Sequence, residues 1–189
     1  KPSPFKYVVE DSYGGKICNL TICSNCKTVN ERPETFYPLS LEIKGYKNIH
    51  ESLSKFIQGE VISDYQCDAC KQKADVTKSC LIQKVPNFLI IHLQGFALTT
   101  RNSRMEDQFK IVVPSELNVY NYTTDKQKGQ GNPDEYEFKL KGIVLHYGSA
   151  EFGHYFSYIK ETESKWIEFN DERVREFDPH DIEFDCFGG

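Results

Sequence analysis

Cys23 and Cys26 form one C-x-x-C pair and Cys67 and Cys70 another, with 40 residues between Cys26 and Cys67. Each short turn lets two sulfurs converge on one ion, and the long excursion lets two hairpin tips share it. Four thiolates spaced this way suit a tetrahedral zinc in a zinc ribbon. Such a site has no open position for water or substrate, so its role would be structural. The same spacing also fits redox thiols or four free cysteines.

A second group lies further along. In Gly153-His154-Tyr155-Phe156-Ser157-Tyr158-Ile159 a histidine stands where a glycine-containing loop feeds a strand, and Trp166-Ile167-Glu168-Phe169-Asn170-Asp171 ends a neighbouring strand with an amide and a carboxylate. If the two strands pair around a turn at 161–164, His154 and Asn170 fall at the same end of the sheet. An imidazole there can take a proton from a thiol, while Asn170 accepts a hydrogen bond from the other ring nitrogen and fixes the tautomer. A packed strand histidine beside a turn Asn-Asp fits the same spacing.

The elements that must carry these groups are mostly strands. Alternation predicts strands over 17–22 and 34–43 flanking the first cysteine turn, and a hairpin through 65–70 with a return strand over 76–84. Asn48 as N-cap with Glu51 three residues on predicts a helix with Ile49, Leu53, Phe56 and Ile57 on one face, stopping near Gly59. The apolar run 88–93 reads as a buried central strand. A polar segment covers 99–108, and the Gly/Asn/Pro-rich stretch near 124–135 reads as a loop, a place for disorder or a trimmed insertion. Strands over 136–147, 155–160, 165–170 and 173–177 then make a C-terminal antiparallel sheet. The fold class is α+β, mostly antiparallel β.

With 189 residues, 39% hydrophobic and 27% charged, the chain fits one folded domain with subdomains and is no disordered or collagen-like sequence. Its longest apolar stretch, 88–91, is far below the roughly 20 residues a membrane-spanning helix needs, so no membrane partner is expected. An odd count of seven cysteines, four of them in C-x-x-C pairs, argues against a disulfide framework and for a reducing compartment, cytoplasmic or nuclear. Residues 168–185 carry eight acids against Arg173 and Arg175, so most of the net charge of -5 is local. That balance disfavours nucleic acid and favours a basic partner, or else is a solvated acidic surface.

Taken together and in order, these pieces resemble the ubiquitin-specific protease family of cysteine deubiquitinases. The matching residues are Cys23-x-x-Cys26, Cys67-x-x-Cys70, Val85-Pro86-Asn87-Phe88-Leu89-Ile90-Ile91-His92-Leu93-Gln94-Gly95-Phe96, Leu145-His146-Tyr147-Gly148, Gly153-His154-Tyr155 and Trp166-Ile167-Glu168-Phe169-Asn170-Asp171. Glu116-Leu117-Asn118-Val119 and Cys186-Phe187-Gly188-Gly189 look most like a branch of large members. The resemblance implies a papain-like fold: zinc-ribbon fingers over 1–87, with one structural zinc on Cys23, Cys26, Cys67 and Cys70, and a palm sheet over 88–189. His154 would be the general base and Asn170 the third triad member, where other members carry aspartate, with Asp171 assisting. His146, Gly148, Gly153 and Tyr155 would bind substrate along the channel for the ubiquitin tail. Ubiquitin and ubiquitinated proteins would be the partners. His50, His92 and His180 lack motif support and read as structural or surface residues.

Two departures carry consequences. Leu93-Gln94-Gly95-Phe96 stands where the family usually has Leu-Lys-Arg-Phe, removing two positive charges. The family's cysteine box, a segment like Gly-Leu-x-Asn-Leu-Gly-Asn-Thr-Cys on the thumb, has no match. Cys18, Cys80 and Cys186 do not suit a helix N-terminus beside His154. The expectation is fingers plus palm without the thumb, a chain inactive alone and completed by an N-terminal thumb segment of the same enzyme. The rival from another class is a non-catalytic, zinc-containing ubiquitin-binding or scaffold module.

Overall fold

The computed structural model describes residues 7–94, 111–148, 152–182 and 186. In chain order the elements are α1 (Val8–Tyr13), β1 (Gly15–Cys23), β2 (Val29–Phe36), β3 (Pro38–Glu42), α2 (Ile49–Ile57), β4 (Glu60–Gln66), β5 (Lys73–Lys84), β6 (Ile90–Gln94), β7 (Glu116–Asn118), α3 (Thr124–Lys128), β8 (Glu137–Lys139), β9 (Gly142–Gly148), β10 (Gly153–Thr162), β11 (Lys165–Asn170) and β12 (Arg173–Phe177). They form two compact units, one from residues 1–42, 50–93 and 118–138, the other from 43–49, 94–117 and 139–189. The division is therefore interleaved rather than a single cut at 87/88. Main-chain bridges explain it: Thr123 pairs with Ile82 in the first unit, and Asn48 with Val112 in the second.

The first unit is built on an antiparallel sheet of order β2-β1-β5-β4. Cys18, Leu20 and Leu81 form a buried cluster on it, and Ile57 of α2 packs against them. Ile49 and Leu53, from the face the capping pattern selected, are fully buried. Strand β2 begins at Val29, not at 34, and is exposed until Phe36. Its register against β1 runs unbroken from Gly15↔Phe36 to Ile22↔Val29. Main-chain hydrogen bonds hold such an edge strand whatever its side-chain pattern, and an edge also tolerates Pro33 opposite Cys18.

The strand expected over 34–43 divides at Tyr37 into β2 and β3, because β3 pairs with β6 instead. The expected buried central strand over 88–93 is corrected as well. Phe88 is 57% and Ile90 45% exposed, and among the described residues β6 has only β3 as neighbour. An apolar run shows that a strand is present, not that both its faces are covered. The stretch near 124–135 is folded: Thr123 caps α3 by accepting from the Lys126 N–H, and Gly129 ends it at φ 67°. Tyr136 donates a hydrogen bond back to Asp125, clasping the segment.

The second unit carries an antiparallel sheet of order β12-β11-β10-β9, as alternation predicts. Tyr158, Trp166 and Phe177 are buried on one face with Leu140, Leu145, Phe156, Ile182 and Cys186 packed around them. Tyr158 and Phe177 stack with centroids 3.8 Å apart. Among the described residues no helix is long and apolar enough to cross a membrane. The motif residues Gly95 and Phe96, the polar segment 99–108 and the end of the chain at 187–189 lie outside the described residues.

Candidate functional site

The two C-x-x-C turns are near copies of one another. After each second cysteine the next residue, Lys27 or Lys71, takes a left-handed conformation, with φ 59° and 58°. In the first turn the Lys27 N–H donates to the Cys23 carbonyl and the Cys23 N–H to that of Thr28. In the second, the Lys71 N–H donates to Cys67 and the Cys67 N–H to Gln72. Both turns thereby aim two sulfurs the same way. Asn25 stitches the tips together by donating to Gln72 at 2.7 Å.

All four sulfurs lie within 4.8 Å of one another. Cys26 and Cys67 are 3.7 Å apart, close to the edge of about 3.8 Å that follows from metal–sulfur bonds of ~2.3 Å in a tetrahedral thiolate site. The Thr28 hydroxyl, bonded to Cys26, pushes that thiol down to about 6, and backbone N–H groups of Cys70 and Ala69 lower Cys67. Cys70 moves the other way: against its backbone bond from Gln72, burial and the neighbouring Cys67 and Cys26 thiols push it up. The donor set and the spacing, rather than the titration of the thiols, fit a bound metal ion. The left-handed lysines were not foreseen in the sequence, since lysine gives no signal for positive φ.

In the second unit, β10 and β11 pair as expected and bring His154 and Asn170 together. The His154 Nε2 lies 2.7 Å from the Asn170 Oδ1. Because an amide oxygen only accepts, Nε2 carries the proton and Nδ1 is left with its lone pair. Asp171, at φ 52° in the β11–β12 turn, places a carboxylate oxygen 3.8 Å from the same Nε2. Phe156 lies parallel to the imidazole at 6.4 Å.

Two further residues went unread in the sequence. Glu168 is a buried carboxylate, 3% exposed, on the same face of β11 as Asn170 and Trp166. It accepts from the Arg175 Nε at 2.6 Å, directly across the β11–β12 ladder, and from the Asn170 Nδ2 at 3.5 Å. Strand alternation would have placed Glu168 in line with buried Trp166. Its charge led it to be counted with the acidic surface instead.

The proposed substrate-binding residues divide. His146 and Tyr155 face each other across β9 and β10, rings 4.6 Å apart. Alternation sets them on the opposite face of the sheet from His154. Gly153 lies under the His146 ring, leaving no room for a Cβ. Gly148 and Gly153 pair at the sheet end.

No other described cysteine is placed to react. Cys18 and Cys80 lie on the first unit's sheet. Burial raises the thiol pKa of both, that of Cys80 to about 11. Cys186 packs against the Tyr158 cluster. His50 bonds to the Tyr122 hydroxyl at 3.0 Å and His180 to Asp178 at 2.8 Å, in keeping with structural or surface roles.

Comparison with known proteins gives the family and the fold. The family model described as ubiquitin carboxyl-terminal hydrolase matches residues 3–184. Human ubiquitin carboxyl-terminal hydrolase 24 is 30% identical over 96% of this chain, which spans 8% of that protein. Mouse ubiquitin carboxyl-terminal hydrolase 34 is 28% identical over 97% of the chain and 6% of its own length. Yeast (Saccharomyces cerevisiae) ubiquitin carboxyl-terminal hydrolase 8 is 30% identical over 93% of this chain and 39% of its own. Among solved structures, a chain of the SAGA Ubp8/Sgf11/Sus1/Sgf73 DUB module bound to ubiquitin aldehyde superposes with a TM-score of 0.78 at 27% identity, covering 96% of this chain and 42% of that one. The chain thus spans well under half the length of these relatives.

Proposed function

This chain belongs to the ubiquitin carboxyl-terminal hydrolase family, and from that premise we propose that it is the fingers-and-palm part of a deubiquitinating cysteine protease, cleaving the isopeptide bond after ubiquitin's terminal glycine. The observation that carries the reading is the 2.7 Å contact of His154 with Asn170, which leaves the imidazole Nδ1 as a base. The nucleophile would be a cysteine outside these 189 residues, on an N-terminal thumb segment of the same enzyme. His154 Nδ1 takes the thiol proton, and the thiolate attacks the glycine carbonyl. His154 then returns the proton to the departing lysine amine as the C–N bond breaks. A water deprotonated by His154 hydrolyses the thioester and frees ubiquitin.

Asn170 accepts from Nε2 throughout and stabilises the imidazolium, with Asp171 adding negative charge nearby. The ubiquitin tail would reach His154 along the sheet end marked by Gly148 and Gly153. Cys23, Cys26, Cys67 and Cys70 would hold one zinc ion, whose contribution is to fold the hairpin tips rather than to enter the reaction.

The test uses ubiquitin carrying a C-terminal thiol-reactive group, added to the native protein, with intact masses read under denaturing conditions. A gain of one ubiquitin on a cysteine outside this chain supports the protease reading. Capture by Cys18, Cys80 or Cys186 overturns the assignment of the nucleophile. Reversible ubiquitin binding without capture by any polypeptide favours a non-catalytic ubiquitin-binding module.

A further inference from the structure

The Asn170 side chain can perform its role in only one of two orientations. With Oδ1 toward His154 it holds the Nε2–H tautomer and leaves Nδ1 basic. Turned by 180° it would present its NH2 group, force Nε2 to accept, and move the proton to Nδ1, where a base is needed. The imidazole alone does not choose between these states, because its two tautomers serve either amide face.

Glu168 is the group that discriminates. Its carboxyl oxygen accepts from the Asn170 amide through Nδ2, at 3.5 Å. It is 3% exposed. Its second oxygen is held by the Arg175 Nε at 2.6 Å, across the ladder that pairs Glu168 with Arg175. The buried carboxylate is thus fixed in place by a cation on the neighbouring strand. The Asp171 carboxylate, 3.8 Å from Nε2, lies beyond hydrogen-bond reach and does not substitute for this contact.

We propose that Glu168 and Arg175 are positioning residues that lock the Asn170 amide, and through it the His154 tautomer, in the state that makes Nδ1 a base. The proposal rests on the protease reading for its purpose, but not for its test. It also accounts for the amide at position 170. An aspartate there would set a second carboxylate oxygen about 3.5 Å from Glu168, where like charges repel.

The experiment is long-range 1H–15N correlation on the 189-residue chain labelled at the histidine rings, at a pH of about 8 where imidazole is neutral. In the unsubstituted chain His154 is expected as the Nε2–H tautomer. Glu168→Gln offers Asn170 both a donor and an acceptor, so the ratio of Nε2–H to Nδ1–H should fall at least fivefold. Arg175→Gln, at a half-exposed position, should move it the same way to a smaller extent, and Arg175→Lys should restore it. In an Asn170→Asp background, which has no amide to turn, Glu168→Gln should leave the tautomer unmoved.

An unchanged ratio in Glu168→Gln, with the β9–β12 backbone shifts intact, overturns the proposal. Should that variant lose its sheet, an unmoved ratio in folded Arg175→Gln overturns it equally. Capture by reactive ubiquitin is read separately, on the full protein that supplies the nucleophile. A tautomer shift without any captured cysteine would keep the lock and sink the protease reading, and capture with an immobile tautomer would do the reverse.

Discussion

His154 and Asn170 divide one task between them, the ring moving the proton and the amide holding the ring. Removing the base should therefore cost more than removing its holder. In the full protein that supplies the nucleophile, His154→Ala should lower kcat by ~10²–10⁴-fold, the usual contribution of a positioned base. Asn170→Ala should cost about 10²-fold, the scale of misplacing a reacting group, with KM nearly unchanged in steady-state ubiquitin cleavage. Cysteine chemistry separates residues in the same way. Burial holds the Cys80 thiol at about 11, so at pH 8 only about one molecule in a thousand is thiolate. Peptide mapping after brief iodoacetamide treatment at that pH should find Cys80 unmodified; rapid alkylation would reopen its candidacy as a nucleophile. Type and spacing put His154 and Asn170 at one sheet end but fitted a packed strand histidine as well, and the family resemblance chose between the two. The orientation of the Asn170 amide was not legible in the sequence, because it depends on Glu168 and Arg175, which alternation puts on the right face but composition groups with surface charge.

At the scale of elements, two hairpins bring four sulfurs to one point, and each needs a lysine held at positive φ to do it. Strain of that kind persists where something over-determines it, and a bound ion would do so. Elemental analysis should find one zinc per chain. Chelation or Cys67→Ser should remove hydrogen-exchange protection from the 23–28 and 67–72 turns; unaltered protection in metal-free protein would show that the turns stand without an ion. The β9–β10 pair depends on space in a comparable way. A Cβ at 153 has no room beneath the His146 ring, so Gly153→Ala should destabilise the chain by ~1–3 kcal/mol through forced displacement, read from urea unfolding. The C-x-x-C turns, α2 and the strands around both sites could be read from pattern. The start of β2 could not, since an exposed edge strand needs only backbone partners, nor could the folding of 124–136, where the Tyr136–Asp125 contact closes a stretch that reads as a loop.

For the whole molecule, charge is the property that reaches furthest. The net charge of -5 is concentrated in 168–185, and Asp171, Glu172, Glu176, Asp178 and Asp181 are exposed there, whereas Glu168 is buried and spent on Arg175. If this surface attracts the basic tail of ubiquitin, raising salt from about 50 to 500 mM should weaken binding roughly threefold to tenfold, as screening at these concentrations requires. Titration calorimetry would show it, and salt-independent affinity would count against the acidic surface as a contact. By itself the sequence determined the antiparallel β class, the four cysteines that could share a metal ion and, through motifs occurring together in one order, the family. Spacing alone left His154 and Asn170 open to a packed strand histidine as well, and the resemblance chose between the two readings. Only the tertiary structure decided the interleaved division of the chain, the exposure of β6, the register that sets His146 opposite Tyr155, and the Glu168–Arg175 lock. Those depend on which strands become neighbours and which faces are covered, and long-range packing sets both.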